Sequence, residues 1–142
     1  MAEAVRRSGS WIACKPGCYE CCIGPFAISM LDGERLRAGL RELERVDPDR
    51  AARVRSRVAE YRGGEDELCP VLDPGEGTCD LYEARPITCR IFGPAVRTGG
   101  DAIGVCELCY AGASDEEIAA CVVDVEIEED EEEISVQLAL SI

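Results

Sequence analysis

The sequence predicts a small, irregular, single-domain α+β protein with a helical hairpin and short β-hairpins. Apolar residues recur at helical spacing between residues 31 and 62, which favours two helices. The segments "CPVLD" and "TCDLY" flank a "PGEG" turn and predict paired strands. Aromatic residues make up only 5% of the 142 residues, whereas ten are cysteines. A core this poor in aromatics favours stabilisation by a bound metal.

The first elements follow from polarity and spacing. Residues 1–11 are predicted to be a flexible leader, and residues 12–142 the domain, with an acidic C-terminal segment. In "LDGERLRAGLRELERV" leucines recur every four and three residues, which predicts a helix with Asp32 as its N-cap. Asp47 and Pro48 then end that helix and start a second one, which runs to about Arg62.

The second half of the chain predicts shorter elements. A short helix is expected between Tyr82 and Phe92, and "AVRTGGDAIGV" predicts a small hairpin. Ser114 and Glu117 form a capping-box pattern that starts a helix reaching about Cys121. Apolar residues then alternate on either side of "EEDEEE", which predicts a β-hairpin with that run at its tip. A continuous acidic helix is the alternative.

The net charge is −14, distributed as +3 over residues 1–64 and −17 over residues 65–142. An acidic chain is not expected to bind nucleic acid through phosphates, and no polybasic patch predicts a membrane surface. No stretch has the length of a membrane span, and the N-terminal arginines are not followed by the apolar run of a signal peptide. The expected compartment is the cytoplasm. The acidic segment is a candidate surface for a protein partner, and a solvated face is the simpler interpretation.

Cysteines at this density in a reducing compartment indicate metal ligands, and the absence of histidine makes such a site all-thiolate. Cys106 and Cys109 have the spacing of a two-ligand turn. Cys121 lies in an apolar helical pattern and is expected to be a small buried residue. The candidate metal ligands are Cys14, Cys18, Cys21, Cys22, Cys69, Cys79, Cys89, Cys106 and Cys109.

Four of these candidate ligands share one Gly- and Pro-rich loop, "CKPGCYECC". The spacing Cys14-x3-Cys18-x2-Cys21 is the one with which radical enzymes hold three irons of a [4Fe–4S] cluster, but this chain is too short for their barrel. The neighbours Cys21 and Cys22 are expected to face different ways, so at most one of them shares a centre with Cys14 and Cys18.

Four thiolates around Zn²⁺ or a [4Fe–4S]²⁺ core leave a charge of about −2, which nearby cations stabilise. Arg85 and Arg90 flank Cys89 and are candidates for that role; surface salt bridges are the alternative. Zinc and iron, including an iron–sulfur cluster, both suit these ligands. A disulfide framework and a redox pair are weaker alternatives. Without histidine no Ser–His or Cys–His catalytic pair can form.

From "CKPGCYECC" onward, residues 12 to 110 resemble the bacterial YkgJ-like cysteine-cluster family, although members often have Gly where Tyr19 stands. The resemblance implies chelation of zinc or iron by the clustered cysteines and does not imply a particular reaction. The protein is expected not to be an enzyme by itself, although this expectation leaves an enzymatic role open. Flagellin lysine methylases carry a similar cluster, so an iron–sulfur-dependent redox or methyl-transfer role is one alternative. The other alternative is a structural protein that is stabilised by zinc and interacts with a protein partner. The matching later residues are Cys79, Tyr82, Arg85, Pro86, Cys89, Arg90 and Phe92.

Overall fold

A computed structural model describes residues 2–127 and 132–141 and confirms the α+β class. The helices of the described part are α1 Ala2–Ser8, α2 Met30–Val46, α3 Pro48–Glu60, α4 Ile87–Ile91, α5 Asp115–Cys121 and α6 Val136–Ser141. Its strands are β1 Ala27–Ser29, β2 Leu72–Asp73, β3 Thr78–Cys79, β4 Val96–Arg97, β5 Val123–Asp124 and β6 Glu133–Ser135. None of these helices is long and apolar enough to cross a bilayer.

The chain is organised into two units, each built from segments that are distant in sequence. The first unit comprises Met1–Lys15 and Thr88–Glu129, and the second comprises Pro16–Ile87 and Asp130–Ile142. Each unit has its own apolar cluster.

The predicted helical hairpin is confirmed in the second unit as α2 and α3, but the first cap is a different residue. Ser29 caps α2, because its hydroxyl accepts a hydrogen bond of 3.1 Å from the Asp32 N–H. The prediction of Asp32 as the cap is therefore wrong. Its carboxylate is buried, accepts from the Ile87 N–H at 3.0 Å and pairs with Arg35 at 3.0 Å. Asp47 caps α3 as predicted.

The apolar faces of α2 and α3 form the core of the second unit. Gly39 lies where α2 meets the short 3₁₀ helix Tyr82–Ala84, since a Cβ on Gly39 would come within 2.5 Å of the Ala84 Cβ. The two-residue strands β2 and β3 pair antiparallel around the predicted turn, with Leu72 opposite Cys79. Buried core residues of this unit include Ile28, Leu36, Leu40, Val54, Val58, Leu81, Ala139 and Leu140.

The C-terminal segment differs from its prediction. Only Glu133–Ser135 is a strand, and it pairs antiparallel with β1; the chain then turns into α6. The alternating residues also fit a helix, because Val136, Ala139 and Leu140 are buried at helical spacing while Leu138 is 55% exposed. The predicted hairpin between the two alternating runs is wrong, since β5 pairs in parallel with β4. Four residues of its predicted acidic tip, 128–131, lie outside the described residues.

In the first unit the predicted leader contains α1, which packs against α5. Ala4 and Ser8 are buried there, and the Ser8 hydroxyl hydrogen-bonds the Tyr110 hydroxyl. The Tyr110 oxygen also accepts from the Ala95 N–H at 3.0 Å. These contacts hold residues 2–8 in an ordered helix rather than in the flexible leader that their polarity suggests.

The short elements of the first unit largely follow prediction. The capping box of Ser114 and Glu117 starts α5, which ends at Cys121. An antiparallel bridge between Val96 and Gly104 closes the small "TGGD" hairpin. The helix expected between Tyr82 and Phe92 is divided into the 3₁₀ helix and α4.

Candidate metal centre

All ten cysteines lie in the described part of the chain and are thiols rather than disulfides. Cys121 is buried and its thiol donates to the Arg7 carbonyl at 3.3 Å, which agrees with its prediction as a packed small residue. Four candidate ligands fall in the first unit, namely Cys14, Cys89, Cys106 and Cys109. Five fall in the second, namely Cys18, Cys21, Cys22, Cys69 and Cys79. Cys14 and Cys18 are therefore in different units although they share one loop.

In the first unit two thiols already have the separation of ligands on one ion. The Sγ atoms of Cys14 and Cys109 are 3.8 Å apart. With metal–sulfur bonds of about 2.3 Å, two thiolates on a tetrahedral ion are about 3.8 Å apart. The Ala13 N–H donates to the Cys109 Sγ at 3.3 Å, and such donors stabilise a thiolate charge. This pair therefore fits a tetrahedral thiophilic ion.

Gly93 lies against the Cys14 sulfur and is hydrogen-bonded to the backbone of Cys106. It has a φ of 123°, and a Cβ there would lie 2.9 Å from the Cys14 Sγ. Its carbonyl accepts from the Cys106 N–H at 3.5 Å, and the Cys109 N–H donates to the Cys106 carbonyl at 3.1 Å. Cys89 lies in α4, which ends two residues before Gly93. A glycine at this point lets the Cys14 sulfur lie directly against the backbone.

In the second unit backbone pairing brings three cysteines together. The Cys69 N–H donates to the Cys22 carbonyl at 2.6 Å. An antiparallel bridge joins the residue after Cys22 to the residue before Cys69. The Leu72 N–H donates to the Cys69 carbonyl at 3.0 Å. Leu72 in turn pairs with Cys79 across β2 and β3. Burial raises the pKa of Cys69, and the nearby backbone N–H groups of Val71 and Leu72 oppose that rise.

Cys21 and Cys22, which are predicted to face different ways, influence each other's ionisation. The neighbouring Cys22 thiol lowers the pKa of Cys21 to about 6. Cys21 in turn raises the pKa of Cys22, which burial and the charges on Cys69 and Cys79 raise further. Both residues lie in the 3₁₀ helix Glu20–Cys22, in which neighbouring side chains are about 120° apart rather than opposite.

Arg57 links the backbone next to Cys69 with the residue that follows Cys79. Its Nε donates to the Pro70 carbonyl at 2.9 Å, and its Nη2 pairs with the Asp80 carboxylate at 2.5 Å. The Asp80 side chain is 1% exposed and also pairs with Arg50 at 3.3 Å. Sequence reasoning missed this contact. The only signal was an acidic residue directly after a cysteine in a chain whose helices are rich in arginine.

The two predicted supporting arginines have different surroundings. Arg85 lies in the second unit, where its guanidinium stacks on the Tyr82 ring at 3.6 Å and donates to the Tyr82 carbonyl at 2.9 Å. It contributes to the lowered pKa of Cys21. Arg90 is exposed on α4.

The thiols approach one another in pairs. Within residues 2–127 and 132–141 no three Cys, Asp or Glu side chains are close enough together to hold an ion as they stand. A four-ligand site in either unit therefore requires cysteine side chains to rotate about their Cα–Cβ bonds. The donor set itself fits zinc or iron, because thiolate sulfur is the ligand type that both metals accept in tetrahedral sites.

Clustered thiols, one of which accepts a hydrogen bond from a backbone N–H, define a cysteine-rich, metal-chelating protein. The family model CxxCxxCC matches residues 13–110, and the chain belongs to that family, to which chelation of zinc or iron is ascribed. The resemblance to the YkgJ-like cysteine-cluster proteins is thereby confirmed. Neither the curated proteins nor the solved structures include a significant match.

Proposed function

We propose that this protein binds single thiophilic ions, zinc in preference to iron, through thiolates from among the nine candidate cysteines, in a reducing compartment such as the cytoplasm. The observation that carries the proposal is the 3.8 Å separation of the Cys14 and Cys109 sulfurs. It matches two thiolates on one tetrahedral ion. The Ala13 N–H that donates to the Cys109 sulfur supports the same function, because it favours the charged form of that sulfur.

An iron–sulfur cluster is the principal alternative. In a [4Fe–4S] cluster each cysteine binds a different iron, so the cysteine sulfurs lie farther apart than two ligands of one ion. The distance between Cys14 and Cys109 therefore favours a single ion. The same cysteines would hold the cluster, and Arg85 would be placed to offset its charge.

A metal-holding role is favoured over a redox or methyl-transfer enzyme. A substrate would need a cavity beside the thiols. Two surface pockets in the described ranges are lined by Arg97–Gly100 with 124–127, and by residues between Ala52 and Arg57, without a cysteine in either. A bound ion would stabilise a chain whose core has few aromatic residues.

The test is purification without oxygen, followed by metal analysis, sulfide analysis and an absorption spectrum. We expect a colourless protein with stoichiometric zinc. A brown protein with inorganic sulfide and a broad band near about 400 nm would replace zinc by an iron–sulfur cluster. A chain that binds neither metal under these conditions would contradict the proposal.

A further inference from the structure

We infer that the cysteines form two separate tetrathiolate centres, one in each unit. The first centre comprises Cys14, Cys89, Cys106 and Cys109, and the second comprises Cys21, Cys22, Cys69 and Cys79. The inference rests on the proposed function, because it assigns the ligands of the metal-binding role proposed above.

The number of thiols in each unit matches this division. A closed structural site for zinc takes four protein ligands. The first unit contains four candidate thiols besides Cys121, whose sulfur is engaged with the Arg7 carbonyl. The second unit contains five, so one of them is left over. Each unit thus has enough thiolates for its own centre.

The first centre is organised around Gly93. The Cys14 sulfur lies against Gly93 and 3.8 Å from the Cys109 sulfur, and the Gly93 carbonyl holds the Cys106 N–H. Cys89 lies in α4, four residues before Gly93. Cys14, Cys106 and Cys109 are therefore linked by contacts at or next to Gly93, and Cys89 lies close to it in sequence.

The second centre is organised around Cys69. Its N–H donates to the Cys22 carbonyl, and the chain after Cys69 continues into β2, where Leu72 pairs with Cys79. Cys21 and Cys22 share the 3₁₀ helix Glu20–Cys22, whereas Cys18 lies before it. These backbone relations select Cys21, Cys22, Cys69 and Cys79, which leaves Cys18 as the fifth thiol. Arg57 holds the backbone next to Cys69 and Cys79 in place through Pro70 and Asp80.

The experiment compares zinc bound per chain, by native mass spectrometry and metal analysis, in paired cysteine variants. Wild type is expected to bind two Zn²⁺ ions, one for each set of four thiolates. The double variants Cys106→Ser/Cys109→Ser and Cys69→Ser/Cys79→Ser should each keep half of the zinc, and their combination should keep none. The matched controls Cys121→Ala in the first unit and Cys18→Ser in the second should keep all of it.

The outcomes separate this inference from the proposed function. If wild type binds zinc but either double variant loses all of it, or if wild type binds a single ion, the thiols share one centre and the inference fails while chelation stands. If wild type binds no zinc, the proposed function fails first. Loss of zinc in Cys18→Ser would overturn the assignment of the second centre.

A second measurement uses unmodified protein and so does not depend on how the variants fold. Alkylation of zinc-loaded wild type, mapped by mass spectrometry, should label Cys18 and spare the eight proposed ligands. Removal of zinc by a chelator should expose those eight together. Labelling of any proposed ligand in the loaded protein at the rate of Cys18 would contradict its assignment.

Discussion

Single residues in this protein act mainly by deciding where a sulfur atom lies. Gly93 leaves room for the Cys14 sulfur, Arg57 holds the backbone beside Cys69 and Cys79, and the Cys22 thiol lowers the pKa of Cys21. Gly93 and Arg57 are not ligands themselves, and sequence spacing did not single them out. Because they position backbone or sulfur atoms at the candidate ligands, substitutions at these supporting residues are expected to affect metal affinity.

Gly93→Ala should weaken metal binding in the first unit, because its Cβ would come within 2.9 Å of the Cys14 Sγ. The positive φ adds a backbone cost of about 1 kcal/mol. Gly99→Ala is the matched control, since Gly99 also has a positive φ but nothing lies within 4 Å of its Cβ position. Zinc competition with a chromophoric chelator measures both. Equal affinities in the two variants would show that the Cys14 contact is unimportant.

Arg57→Lys should lower stability by about 2 kcal/mol and weaken zinc binding in the second unit. A lysine keeps the charge but cannot bond the Pro70 carbonyl and the Asp80 carboxylate together in a fork. Arg53→Lys on the same helix is the control. Urea unfolding with the metal removed gives the change in stability, and zinc titration gives the affinity. An unchanged free energy of unfolding and an unchanged zinc affinity in Arg57→Lys would show that Arg57 does not position these segments.

At the scale of secondary-structure elements, most helices and strands are too short to be stable by themselves, and side-chain caps stabilise the helices. The six described strands have two or three residues each, and α4, α5 and α6 have seven or fewer. Isolated helices this short are unstable in water. The caps at Ser29, Asp47, Ser114 and Ser135 therefore contribute a large share of the local order.

Ser135→Ala should destabilise α6 by about 1 kcal/mol, because its hydroxyl accepts from the Leu138 N–H at 3.0 Å at the start of that helix. Ser141→Ala serves as the control, since its exposed hydroxyl donates to the Gln137 carbonyl at the opposite end. Thermal melts followed by circular dichroism compare the two. A larger loss in Ser141→Ala would contradict the capping role.

Asp73 should make the β2–β3 hairpin sensitive to acid. Its carboxylate accepts from the N–H groups of Glu76 and Gly75, and these bonds lower the pKa of Asp73. A carboxyl whose pKa is lower in the folded than in the unfolded chain stabilises the fold above the unfolded value of about 3.9. That contribution disappears as the pH falls through the folded pKa.

The corresponding variant is Asp73→Ala, compared with wild type by urea unfolding of metal-free protein at several pH values. We expect the variant to be less stable at pH 7 and the difference to shrink below about pH 4. Glu126→Ala controls for the general loss of one negative charge. A difference that is constant with pH would contradict the role of the Asp73 carboxylate.

At the scale of the whole molecule, a bound metal and the apolar core are both expected to contribute to stability. The second unit has a continuous apolar cluster, whereas three of the six residues in the first unit's cluster are cysteines. A structural zinc contributes on the order of 10 kcal/mol to folding in small domains. This is comparable with the total stability of about 5–15 kcal/mol of an ordinary domain.

Removal of the metal should therefore lower the melting temperature, and added Zn²⁺ should raise it again with concentration. Differential scanning calorimetry under reducing conditions, with and without a chelator, measures the shift. Added Mg²⁺ is the control, since it prefers oxygen ligands and should have no effect. A melting temperature independent of zinc would mean that the metal does not stabilise the fold.

Features that depend on near neighbours could be predicted from the amino-acid sequence alone. Helical periodicity located α2 and α3, the capping box located α5, and the turn residues located the β2–β3 hairpin. The absence of histidine made the donor set all-thiolate, and the motif around Cys79 and Cys89 indicated the family. Each structural signal spans at most a few turns of chain, so local propensity was sufficient to predict it.

The meeting of distant segments could be learned only from the folded molecule. The alternation at residues 134–142 was compatible with both a strand and a helix, and burial of Ala139 and Leu140 selected α6. Spacing joined Cys14 with Cys18, whereas long-range packing assigns these neighbours to different units and brings Cys14 to Cys109. The physical reason is that close approach of sulfur atoms depends on packing between segments almost a hundred residues apart, which no local pattern encodes.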